Sequence, residues 1–213
     1  MDINRIPFYQ YNTIIVGTGA AGLNAAVTLH KLGQKNIALI TEGRYMGTSR
    51  NTGSDKQTYY KMTQCGSEPD SVRKMAKTLF EGGCVDGDIA MAEAAGSLRA
   101  FYHLVDIGVP FPFNKSGEYV GYKTDHDPLK RGISAGPLTS KYMTECLERQ
   151  AEERGIPFFD GYQAVRLLTE EKDGDKRAAG IIALNKQKAA SPDERYAVFS
   201  AVNIIWATGG EAG

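Results

Sequence analysis

The feature that most limits what this chain can fold into is Gly17-Thr18-Gly19-Ala20-Ala21-Gly22, a GxGxxG pattern between two runs of different character. Before it, Thr13-Ile14-Ile15-Val16 is short, apolar and β-branched, as expected of a strand buried on both faces of a parallel sheet. After it, Ala20 to Leu32 is rich in helix formers. Leu23, Ala26, Val27 and Leu29 lie near helical spacing, and Gly33 stands where the helix should stop. Ile37 to Ile40 repeats the buried-strand pattern, so Thr13 to Glu42 predicts a right-handed βαβ unit.

Each glycine has its own physical task. Gly17 permits the tight turn out of the strand, Gly19 lets backbone approach a diphosphate with no Cβ in the way, and Gly22 lets helix and strand pack closely. The amides at the helix start, around Thr18, Ala20 and Ala21, then face that diphosphate. Glu42, between Thr41 and Gly43, follows Gly22 by twenty residues. A carboxylate at the end of the second strand accepts hydrogen bonds from both ribose hydroxyls. A glycine-rich turn serving packing alone is the rival reading, and the register of Ala26, Gly33 and Glu42 counts against it.

Composition narrows the class. The 213 residues suffice for one sizeable domain. Basic and acidic residues balance at 25 each, which gives no electrostatic footprint for nucleic acid or an anionic membrane. No apolar run approaches the roughly 20 residues of a membrane span, and Met1 to Asn12 lacks the apolar stretch of a secretory signal. A cytoplasmic location is expected. Cys65, Cys84 and Cys146 show no CxxC or Cys/His spacing, so they read as ordinary thiols with no metal site.

The rest of the chain predicts a purposeful loop over Glu42 to Gln57 and a helix from about Ser67 to Phe80. A second helix, capped by Asp88, runs to Asp106 and stops at Gly108. Phe111 to Tyr122 predicts a hairpin around Lys115-Ser116-Gly117. A helix over Leu138 to Arg154 puts Leu138, Tyr142 and Cys146 on one core-facing stripe with Met143 and Leu147 beside it. Tyr162 to Thr169, Arg177 to Leu184 and Tyr196 to Ala201 predict a small antiparallel meander, and Val202 to Ala207 a further buried strand leading into Thr208-Gly209-Gly210. The expected class is α/β: a Rossmann-like parallel sheet with helices on both faces, plus the meander.

A βαβ unit with an acid suits NAD and FAD alike. Three features bear on the choice: the extended pattern GxGxxGxxxAxxxxxxG ending on Gly33, the loop Gly47-Thr48-Ser49-Arg50-Asn51-Thr52-Gly53-Ser54, and Ala207-Thr208-Gly209-Gly210. In all three the chain resembles the flavoprotein subunits of the succinate dehydrogenase, fumarate reductase and L-aspartate oxidase family, over residues 13 to 210. The resemblance implies an FAD-binding fold and hydride transfer between flavin N5 and a small organic substrate such as a dicarboxylate. It also implies an iron-sulfur or haem electron-transfer partner. It further implies that 1–213 is an FAD-binding domain incomplete at its C-terminus, with the capping and substrate domain absent. Two alternatives stand beside it: a flavin-binding fragment without turnover, and an NAD-dependent dehydrogenase.

Under the same resemblance Thr48, Ser49, Asn51, Thr52, Gly53 and Ser54 run beneath the flavin. The Gln163-Ala164-Val165 strand meets the adenine, and Ala207, Thr208 and Gly209 make the second contact with the diphosphate and ribityl region. Family members that bind flavin covalently use a histidine in the loop; this chain has none between His30 and His103, so FAD is expected to be noncovalent. Ala135-Gly136-Pro137 replaces the family's frequent Thr-Gly-His, so that histidine's role is absent. Catalytic residues stay unknown. Arg50 and Lys56 are candidates by position, or solvated loop charges; His126 and Arg131, in the ionisable run Lys123 to Arg131, are candidates against a solvated surface loop.

Overall fold

The computed structural model describes residues 6–55, 57–65, 69–125 and 127–210, so Lys56, Ser67, His126 and Glu211 to Gly213 lie outside the described residues. In chain order the elements are β1 (Phe8–Val16), α1 (Ala20–Lys31), β2 (Ile37–Thr41), α2 (Thr48–Asn51), β3 (Tyr59–Tyr60) and α3 (Val72–Glu81). They continue with α4 (Gly87–Asp106), β4 (Gly132–Ile133), α5 (Thr139–Glu153), β5 (Phe158–Asp160), β6 (Tyr162–Lys172), β7 (Asp175–Asn185) and β8 (Tyr196–Trp206). The chain divides into two compact units, Met1–Thr52 with Leu147–Gly213, and Gly53–Cys146.

The first unit is built on a six-stranded sheet in the order β5-β2-β1-β8-β7-β6. From β5 to β8 neighbouring strands are parallel, and β8, β7 and β6 are antiparallel. The predicted βαβ unit is present: Thr13 pairs with Ile37 and Val16 with Ile40. Ile14, Ile15, Leu39 and Ile40 are fully buried, as strands covered on both faces require. Gly33 lies at φ +100°, the left-handed conformation that ends α1.

Two strand boundaries differ from expectation for one reason. β1 starts at Phe8 rather than Thr13, because Phe8 to Tyr11 pair along β8 before β2 begins, and they do so as an alternating rather than wholly apolar run. Tyr9 stacks on Phe199 at 4.9 Å between ring centroids, and Phe159 meets Phe199 edge-on at 4.8 Å. Such pairs contribute about 0.5 to 1.5 kcal/mol each beyond area burial. The predicted meander strand and the predicted final strand are one continuous element, β8. It pairs with β7 through Tyr196 to Ser200 and with β1 up to Trp206. Its C-terminal half is not buried on both faces as predicted: Val202 is 68% and Trp206 52% exposed. β5, three residues beside β2, was not anticipated.

The helices deviate mainly at their caps. Ser71, not Ser67, caps α3, its hydroxyl accepting from the Lys74 amide at 3.2 Å. Asp86 rather than Asp88 caps α4, accepting from the Asp88 and Ile89 amides at 2.9 and 3.1 Å. In the second unit α3 and α4 pack through Met75, Ala76, Ala90 and Ala94. The Phe111 to Tyr122 segment is a turn and not a hairpin. The Asn114 side chain accepts from the Ser116 and Glu118 amides, both at 2.9 Å, while Pro112 removes a donor a ladder would need.

Along α5 Cys146 and Leu147 are buried as expected, but Leu138 precedes the helix and is 39% exposed; the buried face runs through Thr144, Leu147, Glu148 and Ala151 at i, i+3, i+4, i+7 spacing. Among the described residues no helix is long and apolar enough to cross a membrane, and no cluster of metal-ligating side chains occurs.

Candidate functional site

The C-terminal ends of β1, β2 and β8 open onto one side of the sheet, where α1 begins, and there lies a cavity of about 770 Å³. This is the edge at which open α/β sheets hold ligands. Gly17, Thr18, Gly19, Ala20, Ala21, Thr41, Glu42, Gly43, Thr48, Ser49, Ala164, Ala207, Thr208 and Gly209, all among the candidate cofactor contacts, line it together.

The glycine turn is built by packing. Gly17 lies at φ +110°, and a Cβ there would come 2.3 Å from the Ala207 carbonyl oxygen. The Gly17 amide donates to Ile40 O and the Ala207 amide to Val16 O, both at 2.8 Å, so three strand ends are tied at one point. Gly22 lies beneath the turn, where a Cβ would meet Gly17 O at 2.1 Å. Thr18 and Thr41, both buried, join the turn to the end of β2 through a 3.0 Å hydroxyl pair.

Gly19 and Gly47 are glycines for another reason. Gly19 has φ −75° and Gly47 φ −60°, ordinary for any residue. A Cβ on Gly19 would approach nothing closer than Ser49 Oγ at 3.4 Å, and one on Gly47 nothing closer than Gly19 Cα at 3.8 Å. Neither backbone strain nor protein packing requires glycine here; the missing side chains keep the cavity open. No side chain caps α1 and no acid occupies its first turn, while the Ala20 amide donates to Ser49 Oγ at 3.3 Å. An uncapped helix start without a first-turn acid is what a diphosphate needs.

Glu42 stands at the predicted position, with Lys186 Nζ 2.7 Å from its Oε1. Lys186 comes from the turn after β7, a partner 144 residues distant that no local pattern reveals. Tyr162, Met46, Gly47 and Trp206 also line the cavity and were not singled out as contacts. Burial, with Tyr9 beside it, pushes the Tyr162 phenol up to about 12, so it stays neutral near pH 7. The run of strand ends around a switch point is the signal that would have found Trp206 and Tyr162.

The remaining predicted residues lie elsewhere. Val165 is absent from the lining and half exposed, since alternation along β6 turns it away from Ala164. Asn51 and Thr52 shape the loop, Asn51 Nδ2 donating to Tyr45 O at 2.6 Å and Thr52 Oγ1 to Thr48 O at 2.8 Å. Gly53 and Ser54 belong to the second unit, where the Ser54 amide donates to Pro137 O at 3.0 Å. Arg50 does not line the cavity; its guanidinium meets Glu148.

Arg131 is neither solvated nor on a surface loop. Its side chain is fully buried in the second unit, forked onto Asp70 at 2.8 and 2.7 Å, with Thr78 at 2.9 Å, Tyr60 at 3.2 Å and a second carboxylate, Asp127, at 3.3 Å. Burial alone would lower its pKa, but Asp70 and Tyr60 outweigh that and raise it. Five N–H groups on a planar fork make arginine the cation best suited to such a site.

Sheet order, glycine turn and cavity define a dinucleotide-binding α/β domain. Residues 12–213 match the FAD binding domain family, and the chain belongs to it. Its cofactor is FAD. The chain is 29% identical to the L-aspartate oxidase of Pseudomonas aeruginosa over 84% of its own length and 34% of that protein. It is 26% identical to the 8-methylmenaquinol:fumarate reductase flavoprotein subunit of Wolinella succinogenes, over 99% of this chain and 33% of that one. Among solved structures, an E. coli quinol fumarate reductase variant superposes with a TM-score of 0.79 at 20% identity, covering 96% of this chain and 33% of that one. The chain thus spans about a third of the length of the curated relatives it matches.

Proposed function

We propose that this chain holds FAD noncovalently in the cavity at the ends of β1, β2 and β8, as the flavin-binding part of an oxidoreductase acting on a small dicarboxylate. The observation that carries the reading is the pair Gly19 and Gly47, side by side in the cavity lining with no need of their own for glycine. In this assignment the α1 amides and the Gly17 turn take the diphosphate. Glu42, steadied by Lys186, takes the ribose hydroxyls, and Tyr162 to Ala164 border the adenine. The backbone of Thr48 and Ser49 and the Thr208-Gly209 return take the remainder. Bound FAD supplies the hydride chemistry; the chain's residues bind it and orient it.

The dicarboxylate substrate rests on the names of the relatives, L-aspartate oxidase, fumarate reductase and succinate dehydrogenase. The electron-transfer partner, an iron-sulfur or haem protein, rests on likeness to that family alone. A second reading, flavin binding without turnover, draws support from the engaged state of Arg50 and Arg131. Both guanidinium groups are taken by carboxylates, and among the described lining residues no His, Lys, Arg or Cys appears.

A thermal-shift comparison tests the function. A ligand at about a hundred times its Kd stabilises by about 2.7 kcal/mol, so FAD should raise Tm by several degrees while NAD does not. A shift with NAD and none with FAD would contradict the proposal. Succinate-dependent bleaching of the bound flavin then separates an oxidoreductase from a binding fragment.

A further inference from the structure

α5 carries a carboxylate where its buried stripe calls for an apolar side chain. Glu148 shares that stripe with Leu147 and Ala151 and is only 7% exposed. A buried carboxylate is tolerated only when both oxygens are engaged. Here Oε1 is taken by Arg44 Nε and Oε2 by the terminal guanidinium nitrogen of Arg50.

Arg44 and Arg50 bracket the cavity wall, since Met46, Gly47, Thr48 and Ser49 lie between them and line it. The wall has little to hold it by itself. α2 is a four-residue helix, far below the length at which a helix sustains itself. Arg44 is pinned further: its amide donates to Asp160 Oδ1 at 2.8 Å, its guanidinium lies 4.1 Å over the Phe158 ring, and it also reaches Glu152. Arg50 has Tyr45 under its guanidinium at 5.1 Å. Burial alone would lower the Arg44 pKa, but Glu148 and Glu152 raise it, so the charge stays on.

We propose that Glu148 is a positioning residue: by gripping Arg44 and Arg50 together it holds residues 44–51 in the shape that admits FAD. The inference rests on the reading of the cavity as the FAD site. It also assigns Arg50 a place behind the wall, its charge balanced by Glu148. Preset walls bind more tightly because the ordering is done before the ligand arrives.

The test uses the whole chain and two measurements: hydrogen exchange of residues 44–52 without cofactor, and FAD Kd from quenching of flavin fluorescence. The variants are Glu148→Gln, Arg50→Gln, the two combined, and Glu153→Gln as an exposed carboxylate on the same helix. Exchange in Glu148→Gln should quicken over 44–52 and not across β1 or β8. If the admitting shape then holds in a tenth of molecules, Kd rises about tenfold. The combined variant should be no weaker than Glu148→Gln alone, because Glu148→Gln already releases Arg50 along with Arg44, and Glu153→Gln should match wild type.

Unchanged exchange over 44–52, or single effects that add in the combined variant, would overturn the inference. Should Glu148→Gln fail to fold, Glu148→Asp keeps the charge but withdraws it by one methylene. It is expected to quicken the same exchange, and no change there would be equally contrary. Wild-type protein that takes no FAD defeats the functional reading; wild type that binds FAD with an affinity Glu148→Gln leaves untouched defeats this inference alone.

Discussion

Gly17 and Ala207, 190 residues apart, touch so closely that a single Cβ on Gly17 would stand 2.3 Å from the Ala207 carbonyl oxygen. The contact locks the end of β1 to the end of β8 and sets the floor of the cavity. Gly17→Ala would therefore meet both a backbone clash and a φ of +110° that L side chains rarely adopt. Such strain costs on the order of 1 to 3 kcal/mol before the clash is relieved. The expected outcome is a Tm several degrees lower in chemical or thermal melts, with or without cofactor.

Gly47→Ala should behave in the opposite way. Its backbone is ordinary and a Cβ has room within the protein, so the cofactor-free Tm should stay within about a degree, as for surface substitutions of roughly ±0.5 kcal/mol. FAD affinity should nevertheless fall, because the methyl enters the cavity. A fluorescence titration beside the melt checks both halves, and an unaffected Kd would remove the argument from Gly19 and Gly47.

The Asp70–Arg131 pair gives the second unit a predictable acid response. Burial alone would raise the Asp70 carboxyl above its ordinary 3.8, but hydrogen bonds from Arg131 and from the Thr63 and Ser71 amides hold it below. The unfolded chain therefore binds the proton more readily than the folded one. Stability from this group is present above pH 3.8 and is lost as pH falls through the lowered folded value. Asp70→Asn should cost about 3 kcal/mol at neutral pH, since it breaks the fork and leaves the buried Arg131 with Asp127 Oδ1 at 3.3 Å as its remaining carboxylate partner. Its melting curve should also lack the part of the acid dependence that the wild type shows below about pH 4.

Local pattern made the glycine turn between β1 and α1 legible, because Gly17, Gly22 and the flanking apolar runs encode backbone geometry within a few residues of one another. Glu42 was legible by spacing for the same reason. Lys186 and Glu148 were not: each acts on a residue about a hundred or more positions away, and a surface-type lysine or glutamate carries no mark of its partner. Arg131 misled in the same manner. Its run of charged neighbours reads as solvated, yet Asp70 and Tyr60 arrive from distant segments to bury it. The long β8 was divided in two because its pattern changes where β7 ends and only β1 continues beside it.

The central claim is a cavity that holds one FAD without a covalent bond. The most direct measurement loads the purified chain with FAD, removes the excess, precipitates the protein with acid and reads flavin absorbance in supernatant and pellet. One FAD per chain is expected, all of it in the supernatant. A chain that leaves desalting colourless would contradict the assignment of the cavity, and flavin that stays in the pellet would contradict noncovalent binding.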